Sequence, residues 1–188
     1  MGVCNGCSIR VKITNNEPGC FAKLGYRTDV DRQLNLNKET NQGARECTIL
    51  HELGHVLGLS HEHQHPDRSV VVLRPVSPGK ERSYWKLTGQ RKTPYDPTSI
   101  MHYDKKLCIP KPQPQGQKRF CDIHESPPEV DCIIPEEAHC ATGIAAPKKL
   151  SGGDVKGLQQ LYPNLLPEPP QEITPDNFAK FMKLDVEL

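Results

Sequence analysis

His51, Glu52, His55 and His61 fall in the stretch His51-Glu52-Leu53-Gly54-His55-Val56-Leu57-Gly58-Leu59-Ser60-His61-Glu62, and their types and spacing suit one kind of chemistry. Residues four apart on an α-helix lie about one turn, roughly 6 Å, above one another on the same face. The imidazoles of His51 and His55 can therefore converge on one ion at roughly 2.0 to 2.1 Å. His61 lies ten residues beyond His51; on a continued helix at about 100° per residue it would point roughly 80° away from that face. The chain has to turn back, and Gly58 is the residue that can supply the turn. Three neutral nitrogen ligands, His51, His55 and His61, leave one position of a zinc ion open to water, whose pKa the ion lowers toward roughly 7. Glu52, directly after the first ligand, is placed to take the proton of that water and hand it to a leaving amine. The expected chemistry is peptide-bond hydrolysis by metal-activated water, with one Zn2+ per chain, Glu52 as general base and no covalent intermediate. Surface histidines on an amphipathic helix would account for His51, Glu52 and His55 alone. They account poorly for a pattern that also fixes Gly58 and His61.

These side chains need a helix and a turn to hold them. From Cys47 to Leu59 the apolar residues Ile49, Leu50, Leu53, Val56, Leu57 and Leu59 recur at three- and four-residue spacing, which predicts an amphipathic helix packed on a sheet, with Thr48 or a neighbour as its cap. Upstream, Ile9, Val11 and Ile13 alternate with Arg10 and Lys12, the period-2 pattern of a strand with one buried face. Asn15 to Gly19 reads as a turn, Cys20 to Tyr26 as a second short strand, and Leu34 with Leu36 as a third. Residues 62–98 offer only the apolar run Val70 to Leu73. The segment Lys105 to Pro147 carries Cys108, Cys121, Cys132 and Cys140 among many prolines and is expected to be a long loop held by disulfides rather than by a hydrophobic core. Ser151 then precedes Asp154, Val155, Leu158 and Leu161, so a hydroxyl cap opens a helix whose apolar positions face inward and which stops before Pro163. Pro167 to Pro170 reads as a linker to a terminal helix, Pro175 to Leu184.

Composition limits the function classes. With Lys plus Arg at 24, Asp plus Glu at 23 and a formal charge of +1, there is no electrostatic case for a nucleic-acid partner or an anionic membrane. No run approaches the roughly 20 apolar residues of a membrane-spanning helix. Eighteen prolines and fourteen glycines point to extensive loops. Eight cysteines fit four disulfides formed in an oxidising compartment, hence a secreted protein. Met1 to Ile13 nevertheless contains Cys4, Asn5, Arg10 and Lys12, where a signal peptide would be continuously apolar. These two readings are reconciled if an amino-terminal portion precedes the sequence. Cys4 and Cys7 are expected in disulfides rather than in a redox or zinc pair, and His124, His139 and Cys140 as surface residues and a disulfide partner rather than a second metal site.

Downstream, Ser99-Ile100-Met101-His102-Tyr103 supplies an independent signal. Together with the histidine segment it resembles the zinc helix and Met-turn of metzincins and, within them, the astacin-like zinc metalloproteases. Glu62 directly after the third histidine and His102-Tyr103 after Met101 select that branch. His61-Glu62-His63 with Pro66-Asp67-Arg68, Tyr95-Asp96-Pro97, and Leu150-Ser151 with Asp154 and Leu161-Tyr162-Pro163 are also similar to it. The resemblance implies an α+β metzincin-type catalytic domain with a small mixed sheet and zinc helix. It divides the chain into an upper lobe at 1–62, a lower lobe at 63–163 and a tail at 164–188. It implies that Met101 forms an apolar floor under the metal, that Tyr103 stabilises the oxyanion of the transition state, and that Glu62 anchors a matured amino terminus or otherwise braces the site. It further implies that Gly19 to Gly25 is an edge strand against which an extended polypeptide substrate adds. With 50 residues before His51, the family's first strand and helix are expected to be missing. A monomer acting on peptide or protein substrates is expected; the rival reading is a catalytically silent, zinc-stabilised interaction domain of metzincin descent.

Overall fold

The computed structural model describes residues 11–25, 32–37, 46–89 and 93–163. Their architecture is α+β: two three-stranded sheets and two helices, joined by loops and short 3-10 turns. The first sheet holds β1 (Val11–Thr14), β2 (Cys20–Ala22) and β3 (Arg32–Leu36) in the order β1-β3-β2. β3 runs parallel to β1, with Ile13 opposite Leu34, and antiparallel to β2, with Ala22 opposite the same Leu34. Its centre is the buried part: Leu34 is 1% exposed, and Asn35 is wholly buried. The Asn35 side chain donates to the carbonyls of Glu17 and Gly19 at 2.8 and 2.7 Å and accepts from Thr14 Oγ1 at 2.8 Å. One buried amide thereby ties the 15–19 turn to the central strand, because its polar atoms must find partners away from water. The alternation around Val11 and Ile13 does mark a strand, but not a buried face. β1 is an edge strand, and Val11 and Ile13 stay exposed.

Helix α1 (Glu46–Val56) packs on β2 and β3. Its inner side is more polar than the expected leucine stripe: Glu52, Gly54, His55 and Val56 are buried, whereas Leu53 and Leu57 are exposed. The helix ends in a Schellman motif. Gly58 has φ of 101°, its N–H bonds the His55 carbonyl at 2.9 Å, and the Leu59 N–H bonds the Gly54 carbonyl at 2.9 Å. Such a turn needs a residue at home in the left-handed region, which a Cβ resists.

The second sheet corrects the loop expected over 105–147. Val71–Val72 forms β4, Leu107–Pro110 β5 and Cys140–Gly143 β6, all antiparallel in the order β4-β5-β6. It sits on a core of Val70, Val72, Tyr84, Leu107 and Ile123, with Tyr103 packed against the edge of that cluster. Each of these aliphatic side chains removed from water contributes roughly 1.5 to 3 kcal/mol, so disulfides are not the segment's sole support. The cysteines do pair, as Cys108 with Cys140 and Cys121 with Cys132. Helix α2 (Gly152–Leu161) opens with the expected hydroxyl cap, completed to a capping box: Ser151 Oγ accepts from Asp154 N at 3.0 Å and the Asp154 carboxylate accepts from Ser151 N at 2.8 Å. Its inward face is again not the apolar one. Asp154 and Gly157 are buried, while Val155 and Leu161 are exposed, because the helix docks through a carboxylate and a close backbone approach. No helix among the described residues is long and apolar enough to cross a membrane. Cys4, Cys7 and the terminal helix expected at Pro175 to Leu184 lie outside the described residues.

Candidate active site

His51 and His55, one turn apart on α1, and His61, just past the Gly58 turn, bring their ligand atoms within 4.8 Å of one another. His55 Nε2 and His61 Nε2 are 3.2 Å apart, close to the edge of about 3.3 Å that a tetrahedral zinc with nitrogen bonds near 2.0 Å would require. The rings are held from behind. His51 Nδ1 lies 2.8 Å from the Ile100 carbonyl and His55 Nδ1 2.8 Å from the Leu59 carbonyl. Each Nδ1 therefore carries the proton, which leaves Nε2 as a lone pair directed at the centre of the cluster. The Gly58 turn thus does two things: it returns His61 to the cluster and it supplies the carbonyl that orients His55.

Burial favours the neutral, ligating form of all three rings. Desolvation lowers the pKa of His51, takes that of His55 down to about 4, and with the neighbouring rings takes that of His61 to about 2. Three uncharged imidazoles with convergent lone pairs form a donor set that fits zinc. Beside them the Glu52 carboxyl is buried, and its Oε2 has no hydrogen-bond partner among the described residues. Desolvation pushes its pKa up to about 7, opposed by a hydrogen bond from the Ala22 backbone N–H. An orphaned carboxylate oxygen beside three ligating nitrogens is a polar group awaiting a partner such as water.

Met101 lies fully buried against the inner side of α1. A Cβ added at Gly54 would come 2.5 Å from its Sδ, so Gly54 is the residue that lets the Met101 side chain approach the helix. Tyr103 stands edge-on to the His61 ring at a centroid distance of 4.5 Å. Burial first, then the charges of Tyr84 and Glu52, raise its pKa, which favours the protonated phenol. Glu62 lies below, where Oε1 accepts from the Asp96 N–H at 2.7 Å and its own N–H bonds the Met101 carbonyl at 3.0 Å. It borders a cavity of about 270 Å³ that also touches Met101, Asp96 and Asp154.

Every site residue read from the sequence is thus gathered at one place. Two positioning groups have no such signal there. Asp154, legible only as a residue of the closing helix, accepts from Ser99 Oγ at 2.6 Å and Ile100 N at 2.8 Å, and so fixes the loop whose carbonyl orients His51. Gly54 is equally silent, because nothing in the sequence says what approaches it.

The comparisons with known proteins agree with this geometry. A family model described as Astacin, a peptidase family, matches residues 5–114. The chain is 30% identical over 121 residues to zinc metalloproteinase nas-5 of Caenorhabditis elegans, covering 55% of this chain and 34% of that protein. It is 35% identical over 156 residues to human tolloid-like protein 1, covering 77% of this chain and 13% of that one. The chain therefore spans about a third or less of the length of these relatives. Among solved structures, the high choriolytic enzyme 1 of Oryzias latipes, a hatching enzyme zinc-protease, superposes with a TM-score of 0.55 at 24% identity, covering 81% of this chain and 68% of that one. The family match covers more than half the chain, and three histidines that could hold a metal ion agree with it: the chain belongs to the astacin family of zinc metalloproteases.

Proposed function

We propose that this chain is a zinc-dependent endopeptidase in which His51, His55 and His61 hold the metal and Glu52 is the general base. The observation that carries this is the convergence of three histidines, two of them anchored through Nδ1, beside a buried carboxylate oxygen that has no protein partner among the described residues. When bound, zinc supplies Lewis acidity toward a water molecule and toward the scissile carbonyl. Glu52, with a pKa raised by burial, takes the water's proton and returns it to the departing amine nitrogen; a base tuned toward the working pH does both efficiently. The Tyr103 phenol donates to the carbonyl oxygen as negative charge gathers there. Met101 supports the helix from beneath, Glu62 braces the loop at Asp96, and Gly58 sets the turn.

The substrate is an extended polypeptide. β2 is an edge strand of the first sheet and lies next to α1, and the Ala22 N–H already reaches Glu52. A peptide pairing along that edge would pass over the ligands. The two disulfides suit an oxidising, extracellular setting. Digestion of casein with and without a zinc chelator tests the reading. Cleavage abolished by the chelator and restored by added zinc is expected. A zinc-loaded, folded protein that cleaves nothing would establish the silent interaction domain instead.

A further inference from the structure

His63 has no part in the chemistry just described, yet it is the most completely buried histidine of the site, at 0% exposure. Its ring lies face to face with Tyr103, the centroids 4.1 Å apart and the planes 20° from parallel. Its own plane is set by a bond from Nε2 to the Ser83 carbonyl at 2.7 Å, which fixes the proton on Nε2. Nδ1 has no partner among the described residues, so the ring is held by one hydrogen bond and by packing, and it does not point into a polar network. The backbone beneath it is fixed as well: the buried Arg68 donates to the His63 and Tyr84 carbonyls at 2.7 and 2.6 Å. The other aromatic neighbours of the Tyr103 ring among the described residues, His61 at 4.5 Å and Tyr84 at 6.1 Å, meet it edge-on. Among these three rings His63 alone lies parallel to the phenol and covers its face.

We propose that His63 is a positioning residue for Tyr103: its stacked ring sets the plane of the phenol and so aims the hydroxyl at the oxyanion of the transition state. The inference rests on the role assigned to Tyr103 in the proposed function. A tyrosine side chain has two soft torsions, and stacking removes the second. A donor contributes fully to the transition state only when held within roughly 0.5 Å and 10 to 20° of its productive geometry, and a misplacement of about 1 Å costs on the order of a hundredfold in rate. A phenol released from its stack but still confined by His61 and Tyr84 should lose less, about tenfold.

Two substitutions separate the ring from the hydrogen bond, because both remove the bond to Ser83 and only one keeps an aromatic face. In zinc-loaded protein His63→Phe is expected to retain kcat within about twofold, and His63→Leu to lose about tenfold in kcat with KM little changed. In a Tyr103→Phe background the same His63→Leu change is expected to cost less than about twofold, since no hydroxyl remains to be aimed. Equal losses from Phe and Leu, an undiminished loss in the Tyr103→Phe background, or no loss from Leu would each overturn the inference. If Tyr103→Phe by itself keeps the full rate, the role of Tyr103 has failed and the inference falls with it, and that single variant identifies this case. Should His63→Leu not fold, His63→Met fills the same space without a ring and carries the same expectation.

Discussion

Replacing Asp154 with Asn tests whether the closing helix positions a zinc ligand. The carboxylate accepts from Ser99 Oγ at 2.6 Å and from the backbone N–H groups of Ile100 and Ser151 at 2.8 Å each. An asparagine in the same pose keeps one acceptor oxygen. Its best orientation leaves that oxygen on the two N–H groups and turns the amide toward Ser99 Oγ, which already accepts from Met101 N at 3.0 Å. A hydrogen bond to a charged group contributes roughly 1.5 to 3 kcal/mol and a neutral one roughly 0.5 to 1.5, so three bonds losing their charge assistance cost about 3 kcal/mol. In a protein of this size that lowers the melting temperature of the metal-free form by about 6 to 12 °C. A second effect is specific to the site. The Ile100 carbonyl orients His51 at 2.8 Å, and loosening the loop that carries it should weaken zinc by about ten- to a hundredfold, the range for groups that orient metal ligands. Melting followed with chelator present, and zinc titrated against a chromophoric competitor, measure the two separately. A loss of stability of this size with an unchanged zinc dissociation constant would refute the positioning role and leave Asp154 a helix cap.

Glu52→Gln should retain zinc, because no ligand is lost, while peptide hydrolysis falls by about 10² to 10⁴ with the general base gone; near-normal turnover at full zinc content would remove Glu52 from the mechanism. Tyr103→Phe should lower kcat by roughly a hundred- to a thousandfold with KM little changed, the cost of one oxyanion donor, and an unchanged rate would leave Tyr103 a packing residue. Glu125 gives a pH-dependent prediction away from the site. Its carboxylate accepts from Arg119 at 2.6 and 2.9 Å and from Asp122 N at 2.8 Å, and the Arg119 bonds hold its pKa down to about 2. A folded-state pKa below the ordinary value of 4.5 contributes stability that is present above that value and lost as pH falls toward 2. With the pair partly exposed to solvent, Glu125→Gln should cost at most about 1 kcal/mol at about pH 6, and the difference in melting temperature should close near pH 2. A gap that persists in acid would assign the effect to packing.

The histidine cluster was legible because a candidate metal site constrains side-chain type and spacing together: His51, His55 and His61 recur at a spacing that one helix and one turn bring to a point, and the Gly58 turn has positive φ. The second sheet was not legible. β4 is two residues long, β5 contains a proline, and their partners lie far apart in sequence, so neither period nor length distinguishes them from loop. The cysteines announced cross-links without their pairing, and the long-range contacts that bury Leu107 and Ile123 leave no local pattern. The two helices of the described residues lie where the sequence placed them, but their inner faces were read only in part: Val56 is buried as expected. Leu53, Leu57 and Val155 occupy apolar positions that the observed packing leaves exposed, while Glu52 and Asp154 are buried in the interior.

The reason for that inversion also explains why the positioning of the site escaped the sequence. His51, His55, His63 and His65 are each anchored through one ring nitrogen to a backbone carbonyl, of Ile100, Leu59, Ser83 and Thr93 respectively. Every residue type carries such a carbonyl, so the acceptors have no signature in the sequence, and only the path of the chain decides which one arrives. The acidic side chains act one step further back, on the loops that bring the carbonyls in: Asp154 on Ser99 and Ile100, Glu62 on Asp96. A carboxylate on the inner face of α2 and another just past the end of α1 are therefore what this arrangement requires. An apolar face would pack α2 as well, but without Asp154 it would leave the Ser99 hydroxyl and the Ile100 N–H unanswered, and with them the loop whose carbonyl holds the His51 ring.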